Sequence, residues 1–194
     1  EIGIVTGYKA EQFNRFGSYQ IRNMRWHETN MLQSLRCVSN KLNQSICIVS
    51  YSDIFYDVET VKVLLSEQSE CVITFDPNWQ QLWEGRFEDP LSDAESFRLD
   101  GDACVIEIGQ SAASVEEIQG QYMGLMKFTP TFWRKAELFF SECSSATLDK
   151  MDMTTFLQEM ITRQVKVKAV PVMGEWGEVD NPEDITYYET ESKV

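Results

Sequence analysis

The chain has 194 residues, of which 43% are hydrophobic and 25% are charged, a composition that fits one folded domain and excludes wholesale disorder, collagen and coiled coil. Seventeen Lys and Arg against 31 Asp and Glu leave a net charge of −14, so the molecule repels nucleic acid and anionic membrane surfaces, and we expect neither as a partner. A small phosphorylated ligand is compatible with this charge, because a divalent cation held by carboxylates can bring phosphates to an acidic protein.

The first half of the chain alternates between strand and helix patterns. It begins with an apolar run that ends at Thr6-Gly7-Tyr8, which predicts a strand closed by a glycine turn. A helix pattern begins near residue 30, and the apolar run 46–49 predicts a central parallel strand that ends at Tyr51-Ser52-Asp53. Another helix pattern follows, and then a buried strand over residues 71–75.

The second half begins with residues 78–95, a stretch rich in Trp, Arg and Asp that we predict to be irregular. The elements predicted after it are a hairpin with its turn at Asp100-Gly101, a strand over 122–128, a helix over 130–143, a helix capped by Asp152, a strand over 165–172 and a helix that begins at Asn181-Pro182. This order predicts an α/β domain with a mostly parallel sheet, helices on both faces and one inserted β-hairpin.

The residues that directly follow strands are the first candidates for a site, because ligands of open parallel sheets bind beyond the carboxyl ends of the strands. Four segments qualify: Gly7-Tyr8, Tyr51-Ser52-Asp53, Asp76-Pro77-Asn78 and Glu178-Val179-Asp180. Two of them bring carboxylates that can converge on one cation, and hard oxygen ligands suit Mg²⁺. The alternative is that an Asp after a strand serves only a turn or a helix cap.

Cysteine and histidine usage narrows the chemistry and the compartment. Five scattered cysteines without a CxxC pair predict reduced thiols and a cytoplasmic protein. The single histidine, His27, lies among polar neighbours, which argues against a multi-histidine metal site or a Ser-His-Asp hydrolase. No apolar stretch approaches the ~18 residues that a membrane span needs.

A series of short motifs extends along essentially the whole chain. They are Ile4–Tyr8, Asn23 with Trp26, Thr29–Met31, Ser50–Ile54, Asp76–Trp79 with Leu82-Trp83, Arg86-Phe87 and Asp93–Glu95, Gln119–Gly124, Met153–Leu157 and Trp176–Asp180. Their joint order and spacing resemble the nucleotidyltransferases of the phosphocholine cytidylyltransferase-like group. The resemblance implies one Rossmann-like domain of the nucleotide-diphospho-sugar transferase type over residues 1–194.

The resemblance also implies an activity. Members of the group join a nucleoside triphosphate, with CTP favoured here, to a small phosphorylated or phosphonylated acceptor, which we expect to bear an amine, and they release pyrophosphate. By this resemblance Asp53 holds Mg²⁺ and Asp180 completes its coordination, with Glu178 as the rival for the second place. Two alternatives stay open: a sugar-phosphate nucleotidyltransferase, and a non-catalytic nucleotide-binding or partner-dependent relic of the group.

The resemblance assigns Gly7, Tyr8, Thr29, Asn30 and Ser52 to the nucleotide pocket. For some of these residues a plainer role is sufficient. Gly7 also suits a strand-ending turn, and Thr29 or Asn30 also suits a helix cap.

The acceptor is assigned to an aromatic enclosure. Trp79, Trp83 and Tyr122 present ring faces that favour an ammonium group, and Arg86 is able to bind a phosphate or carboxylate at two points. Glu178 is included in the same substrate set. The alternatives are ordinary core packing for the rings and a salt bridge to Asp89 or Asp93 for Arg86.

One feature of the group has no counterpart in this sequence. Its members begin with a strand and a Gly-rich loop that carries Arg and then a Pro-Lys pair, which together cradle the triphosphate. This sequence begins near the second strand of that pattern. We therefore expect that the first strand and the signature loop are missing from it, and that activity of this chain alone depends on them.

Overall fold

The computed structural model describes residues 1–16 and 19–191. The strands are β1 (Gly3–Thr6), β2 (Tyr19–Arg22), β3 (Cys47–Ser50), β4 (Ile54–Tyr56), β5 (Cys71–Asp76), β6 (Glu95–Leu99), β7 (Val105–Ser111), β8 (Gln121–Phe128), β9 (Lys168–Pro171) and β10 (Trp176–Glu178). The α-helices are α1 (Met31–Arg36), α2 (Ser39–Leu42), α3 (Val58–Ser66), α4 (Trp79–Arg86), α5 (Pro130–Glu142), α6 (Ser145–Lys150), α7 (Met153–Thr162) and α8 (Pro182–Glu191).

The central sheet has the strand order β3-β8-β5-β9. Strands β5 and β9 are parallel, and β8 is antiparallel to both β3 and β5. Three of the four strands therefore point the same way, with β8 reversed between two of them. The predicted α/β class is confirmed, and the single reversed strand is the departure from a wholly parallel sheet.

The core lies on both faces of this sheet. All six residues of β5 are buried, and successive side chains of a strand point to opposite faces. Ile73 belongs to the large cluster that contains Trp133 and Phe156 of helices α5 and α7, whereas Val72 packs with Leu64 of helix α3. Helices consequently cover both faces, as the sequence predicts.

The inserted hairpin forms as predicted, from the antiparallel strands β6 and β7. It is joined to the chain around β9, because the Val105 N–H donates to the carbonyl oxygen of Val167 at 2.8 Å and the Ala169 N–H donates to that of Ala103 at 2.9 Å. The five cysteines are free thiols. Within the described ranges, no helix is long and apolar enough to cross a bilayer.

Two predictions about local structure are wrong. The stretch predicted to be irregular contains helix α4, whose Trp79 and Trp83 lie one turn apart and are both buried. Helix propensity is low there because Gly85 interrupts the segment, so tertiary burial of the two indoles accounts for the helix. The apolar run 46–49 forms the edge of the four-stranded sheet in the described part of the chain, not its centre.

Strands β1 and β2 form a separate parallel pair. Among the described residues β1 pairs only with β2, and β3 pairs only with β8. One edge of β1 and one edge of β3 are therefore without a neighbouring strand in this part of the chain. Ile2 and Ile46, which flank these strands, are 73% and 60% exposed.

Candidate active site

The predicted metal-binding residues are brought together by a short ladder. Strand β10 pairs antiparallel with β4, and Glu178 lies opposite Ile54. One residue further on, the Val179 N–H donates to the carbonyl oxygen of Asp53 at 2.8 Å. Asp53 and the segment 178–180 are thus adjacent although 125 residues separate Asp53 from Glu178 in the sequence (178 − 53).

Arg86 lies at the centre of the acidic group beside this ladder. Its side chain is fully buried, and its guanidinium contacts three carboxylates: Nη1 to Glu178 Oε1 at 2.9 Å, Nη2 to Asp180 Oδ2 at 2.7 Å and Nε to Asp184 Oδ1 at 3.0 Å. Charge-assisted bonds of this kind are about twice as strong as neutral ones. Arg86 therefore connects the last turn of α4 to the segment that follows β10.

Asp184 anchors this connection from the first turn of helix α8. It is 4% exposed, and its Oδ2 accepts the backbone N–H of Asp180 at 2.9 Å and of Asn181 at 3.1 Å. In return Asn181 Oδ1 accepts the Asp184 N–H at 3.1 Å. The helix start predicted at Asn181-Pro182 is confirmed, and it fixes the backbone that carries Asp180.

Burial and the hydrogen bonds made by Arg86 shift the pKa values of this group in opposite directions. Burial raises the pKa of Glu178 to about 6, with a contribution from the Asp180 carboxylate, even though the hydrogen bond from Arg86 acts to lower it. Burial by itself would lower the pKa of Arg86, but the hydrogen bonds to Asp184, Glu178 and Asp180 raise it overall. Three carboxylates surround one guanidinium, so the group carries an excess of negative charge when all are ionised.

These donors fit Mg²⁺ in chemistry. Carboxylate oxygens are the hard ligands that Mg²⁺ takes, usually one or two of them together with water and substrate phosphates. The Asp53 side chain is exposed, and the Asp180 side chain is 49% exposed. Within residues 1–16 and 19–191, no three His, Cys, Asp or Glu side chains form a ready-made metal cluster, so the cation would be held by few protein ligands.

Tyr51 fixes the backbone that leads into Ser52 and Asp53. Its N–H donates to the carbonyl oxygen of Gly124 at 3.0 Å, and its ring lies over Gly124, where a Cβ atom would come within 2.7 Å of the ring. Gly124 also has a φ of +77°, which favours glycine. Two requirements therefore select glycine at this position.

Tyr51 also contacts Tyr122 edge to face, with ring centroids 6.0 Å apart. Burial raises the pKa of both phenols. The sequence singles out Tyr122 but indicates no role for Tyr51 or Asp184. An acidic residue three positions after Asn181 fits the capping-box pattern of a helix start, and this spacing is the available signal for the anchoring role of Asp184.

The predicted aromatic enclosure is packed as core. Trp79 and Trp83 are each 3% exposed, and their rings meet at 77° with centroids 6.0 Å apart. Trp79 Nε1 donates to the Ile118 carbonyl oxygen at 3.4 Å, and Trp83 Nε1 donates to Asp93 Oδ2 at 3.0 Å. The structure thus favours the core-packing alternative for the two tryptophans and places Tyr122 with Tyr51.

The salt-bridge alternative for Arg86 also has structural support, with different partners from those expected. Arg86 contacts Glu178, Asp180 and Asp184, and not Asp89 or Asp93. Its fully buried side chain lies over the rings of Trp83 and Phe87, at 5.6 Å and 5.0 Å from their centroids. In this structure the Arg86 side chain therefore has no exposed surface at which an acceptor anion could bind.

The residues predicted to bind the nucleotide form a second group at the ends of β1 and β2. A Cβ atom on Gly7 would lie 2.5 Å from Trp26, and the 63% exposed Tyr8 packs on Trp26 with ring centroids 5.4 Å apart. Trp26 belongs to the motifs noted in the sequence, and its position makes it a further wall of this group. Ser52 is exposed and directly precedes Asp53 in the chain.

Thr29 and Asn30 are tied into the same group by local hydrogen bonds. Asn23 joins them to β1, since its N–H donates to the Thr6 carbonyl oxygen at 2.8 Å and its Nδ2 donates to Thr29 Oγ1 at 3.0 Å. Asn30 caps helix α1 by accepting the Met31 N–H at 2.7 Å, as its capping alternative predicts. Its own N–H donates to the Asp149 carbonyl oxygen at 2.7 Å.

Comparison with known proteins gives a curated relative and solved structures with a similar fold. No family model matches the chain. The CTP:phosphoglutamine cytidylyltransferase of Campylobacter jejuni subsp. jejuni serotype O:2 is 32% identical over 201 residues, covering 95% of this chain and 79% of the relative.

Two solved structures share the fold. The inositol-1-phosphate CTP transferase from T. maritima matches with a TM-score of 0.72 and 16% identity, over 97% of this chain and 74% of its own. The CTP:phosphocholine cytidylyltransferase from Streptococcus pneumoniae matches with a TM-score of 0.69 and 16% identity, over 99% of this chain and 78% of its own.

Proposed function

Since this chain belongs to the cytidylyltransferase-like family of nucleotidyltransferases, we propose that it transfers a cytidylyl group from CTP to a small phosphorylated or phosphonylated acceptor that bears an amine. The observation that carries the proposal is the pairing of Asp53 with the segment 178–180 through the Val179 hydrogen bond. This pairing supports one cation site beyond the carboxyl end of β3, beside Asp53.

The proposed reaction is an in-line displacement at phosphorus. An oxygen of the acceptor phosphate or phosphonate attacks the α-phosphorus of CTP, a new P–O–P bond forms, and the bond from the α-phosphorus to the α,β-bridging oxygen breaks. The electron pair of that bond leaves with pyrophosphate. Such a transfer needs positioning and charge stabilisation, with no covalent enzyme intermediate.

We propose that Asp53 and Asp180 hold Mg²⁺, with Glu178 as the alternative second ligand. When bound, Mg²⁺ would neutralise phosphate charge and orient the triphosphate. The role of the chain is to present carboxylates of fixed position, since Asp53 and Val179 share a backbone hydrogen bond. The excess negative charge around Arg86 supports a cation there.

For the nucleotide we propose the group formed by Gly7, Tyr8, Thr29 and Asn30, with Ser52 on the metal side. The exposed ring of Tyr8 and its neighbour Trp26 offer a surface on which a base can stack. The Thr29 hydroxyl already donates to the Arg25 carbonyl oxygen and Asn30 already caps helix α1, so we expect them to contribute by shaping the backbone of this group.

For the acceptor we propose the region around Tyr122 and Glu178. The Glu178 side chain is 21% exposed, and its carboxylate favours an ammonium group on the acceptor. Trp79, Trp83 and Arg86 would then support this region from the buried side.

We also propose that the full-length domain has a further strand along the unpaired edges of β1 and β3. Each of these strands pairs on one side only among the described residues, and an unpaired edge leaves N–H and C=O groups without partners. The large apolar side chains of Ile2 and Ile46 are exposed beside these edges. A cationic loop leading from such a strand would also balance the triphosphate against a chain of net charge −14.

The test is a pyrophosphate-release screen of the full-length protein with Mg²⁺. It crosses the four nucleoside triphosphates with phosphocholine, aminoethylphosphonate, phosphorylated amino acids and amides including phosphoglutamine, and sugar phosphates. The proposal expects release with CTP and an amine- or amide-bearing acceptor. Release with a sugar phosphate alone would favour the sugar-phosphate alternative, and release in no combination would contradict the proposal.

A further inference from the structure

We propose that Arg86 and Asp184 are a positioning pair, which sets the carboxylates of Glu178 and Asp180 at the place where the cation binds. The inference rests on the proposed function, because it concerns the cation site of the same reaction. It replaces the sequence-based assignment of Arg86 to the acceptor.

The guanidinium of Arg86 holds the carboxylate side chains in place. Nη1 contacts Glu178 at 2.9 Å, Nη2 contacts Asp180 at 2.7 Å, and Nε and Nη2 contact the two oxygens of Asp184 at 3.0 and 3.3 Å. Because the guanidinium is planar and its N–H groups form a rigid fork, the four accepting oxygens are held in one relative geometry. The rings of Trp83 and Phe87, at 5.6 and 5.0 Å, pack around it and restrict its movement.

Asp184 holds the backbone of Asp180 and Asn181 in place. Its Oδ2 accepts the N–H groups of Asp180 and Asn181 at 2.9 and 3.1 Å, while its Oδ1 accepts from Arg86 Nε at 3.0 Å. One buried carboxylate thus orients the guanidinium and the backbone of Asp180 together. The helix that carries Asp184 is itself seated near the site, because the Glu178 N–H donates to the Tyr188 hydroxyl oxygen at 3.2 Å.

The arrangement contains more carboxylates than are needed to neutralise the one guanidinium. A single carboxylate would neutralise the buried Arg86, and Asp184, which is 4% exposed, is placed to do so. The other two carboxylates belong to the segment whose Val179 N–H donates to the Asp53 carbonyl oxygen, and the Asp180 side chain is 49% exposed. Arg86 bonds to Oδ2 of Asp180, and no described residue donates to Oδ1, which leaves that oxygen directed by the pair and available to a cation.

The test measures Mn²⁺, a paramagnetic substitute for Mg²⁺, bound to the full-length protein with CTP by electron paramagnetic resonance. The variants are Arg86→Lys, which keeps the charge and loses the fork, and Asp184→Asn, which keeps the shape and loses the charge. We expect the Mn²⁺ dissociation constant to rise about tenfold or more in each, as for groups that orient metal ligands. The Mg²⁺ concentration for half-maximal activity should rise with it, with a smaller change in the KM for CTP at saturating Mg²⁺.

Arg163→Lys is the matched control. Arg163 also pairs with a carboxylate, Glu142 at 2.8 Å, and also lies over a ring, that of Phe139 at 4.8 Å, but it is in neither group of site residues. Its replacement should leave the Mn²⁺ dissociation constant unchanged. Melting temperatures of all variants separate loss of fold from loss of metal binding.

The inference is overturned if both folded variants bind Mn²⁺ like the parent, or if only their melting temperatures change. If one variant does not fold, the other decides. A parent protein that binds Mn²⁺ with CTP but releases no pyrophosphate with any acceptor would contradict the proposed function, while the comparison of Mn²⁺ affinities would still decide the role of the pair.

Discussion

The Val179 N–H donates to the carbonyl oxygen of Asp53 at 2.8 Å, so the loop after β3 and the segment after β10 lie side by side. Asp53 and Asp180 therefore lie on the two segments that meet at this junction, and we propose that their carboxylates share one cation.

Asp53→Asn should lower kcat/KM by about a hundredfold or more, because the amide keeps the shape of the side chain and loses the charge that holds Mg²⁺. Steady-state kinetics with CTP and the best acceptor would measure this, and circular dichroism with a melting curve would confirm the fold. Activity within about threefold of the parent, a difference of ~0.7 kcal/mol in activation free energy, would remove Asp53 from the site.

Asp180→Asn should be more damaging to activity than Glu178→Gln. The Glu178 carboxylate is the more buried of the two, at 21% side-chain exposure against 49%, so Asp180 is the more accessible to a hydrated cation. The two variants are compared by the Mg²⁺ concentration that gives half-maximal activity. A larger effect of Glu178→Gln on this quantity would make Glu178 the second ligand.

Gly124→Ala should destabilise the fold by about 1–3 kcal/mol, because the new Cβ would meet the Tyr51 ring and a φ of +77° is strained for alanine. It should also lower activity, since Tyr51 leads directly into Ser52 and Asp53. Gly101→Ala is the control, because nothing lies within 4 Å of its Cβ position in the hairpin turn. Chemical denaturation measures both, and equal stabilities would show that Tyr51 adapts.

Asp149 should contribute stability at neutral pH that disappears in acid. The hydrogen bond from Arg25 holds the pKa of Asp149 below its ordinary value, with help from Gln33. A lowered pKa stabilises the fold above the ordinary aspartate pKa of about 3.9, and this contribution is lost as the pH falls through the lowered value. The melting temperature of Asp149→Asn should therefore lie below that of the parent at pH 7, and the two should converge as the pH falls through the lowered pKa of Asp149. A constant gap would contradict this linkage.

The sequence predicts most of the elements and names the residues of the proposed metal site. The boundaries of α5 and the caps at Asp152 and Asn181 depend on residues close in sequence, so the local sequence is sufficient to predict them. Both segments are predicted to follow strands, but no local pattern predicts the antiparallel pairing of β10 with β4 or the Val179 hydrogen bond that joins the two segments.

The role of Arg86 was not predictable in the same way. Its partner Asp184 is 98 residues away in the sequence, so only the packing of α8 beside α4 brings the two together. Trp79 and Trp83 were assigned to a binding site because they are concentrated in a short segment, yet burial of their large ring area in the core decides their position. Sequence spacing does not distinguish these outcomes.

The central claim is tested most directly by ³¹P nuclear magnetic resonance of the full-length protein with CTP, Mg²⁺ and the acceptor that performs best in the screen. The account predicts a new pair of coupled signals from a P–O–P linkage between the cytidylyl phosphorus and the acceptor phosphorus, together with one equivalent of pyrophosphate. Release of CMP or CDP without coupled acceptor signals, or transfer that proceeds equally well from another nucleoside triphosphate, would contradict it.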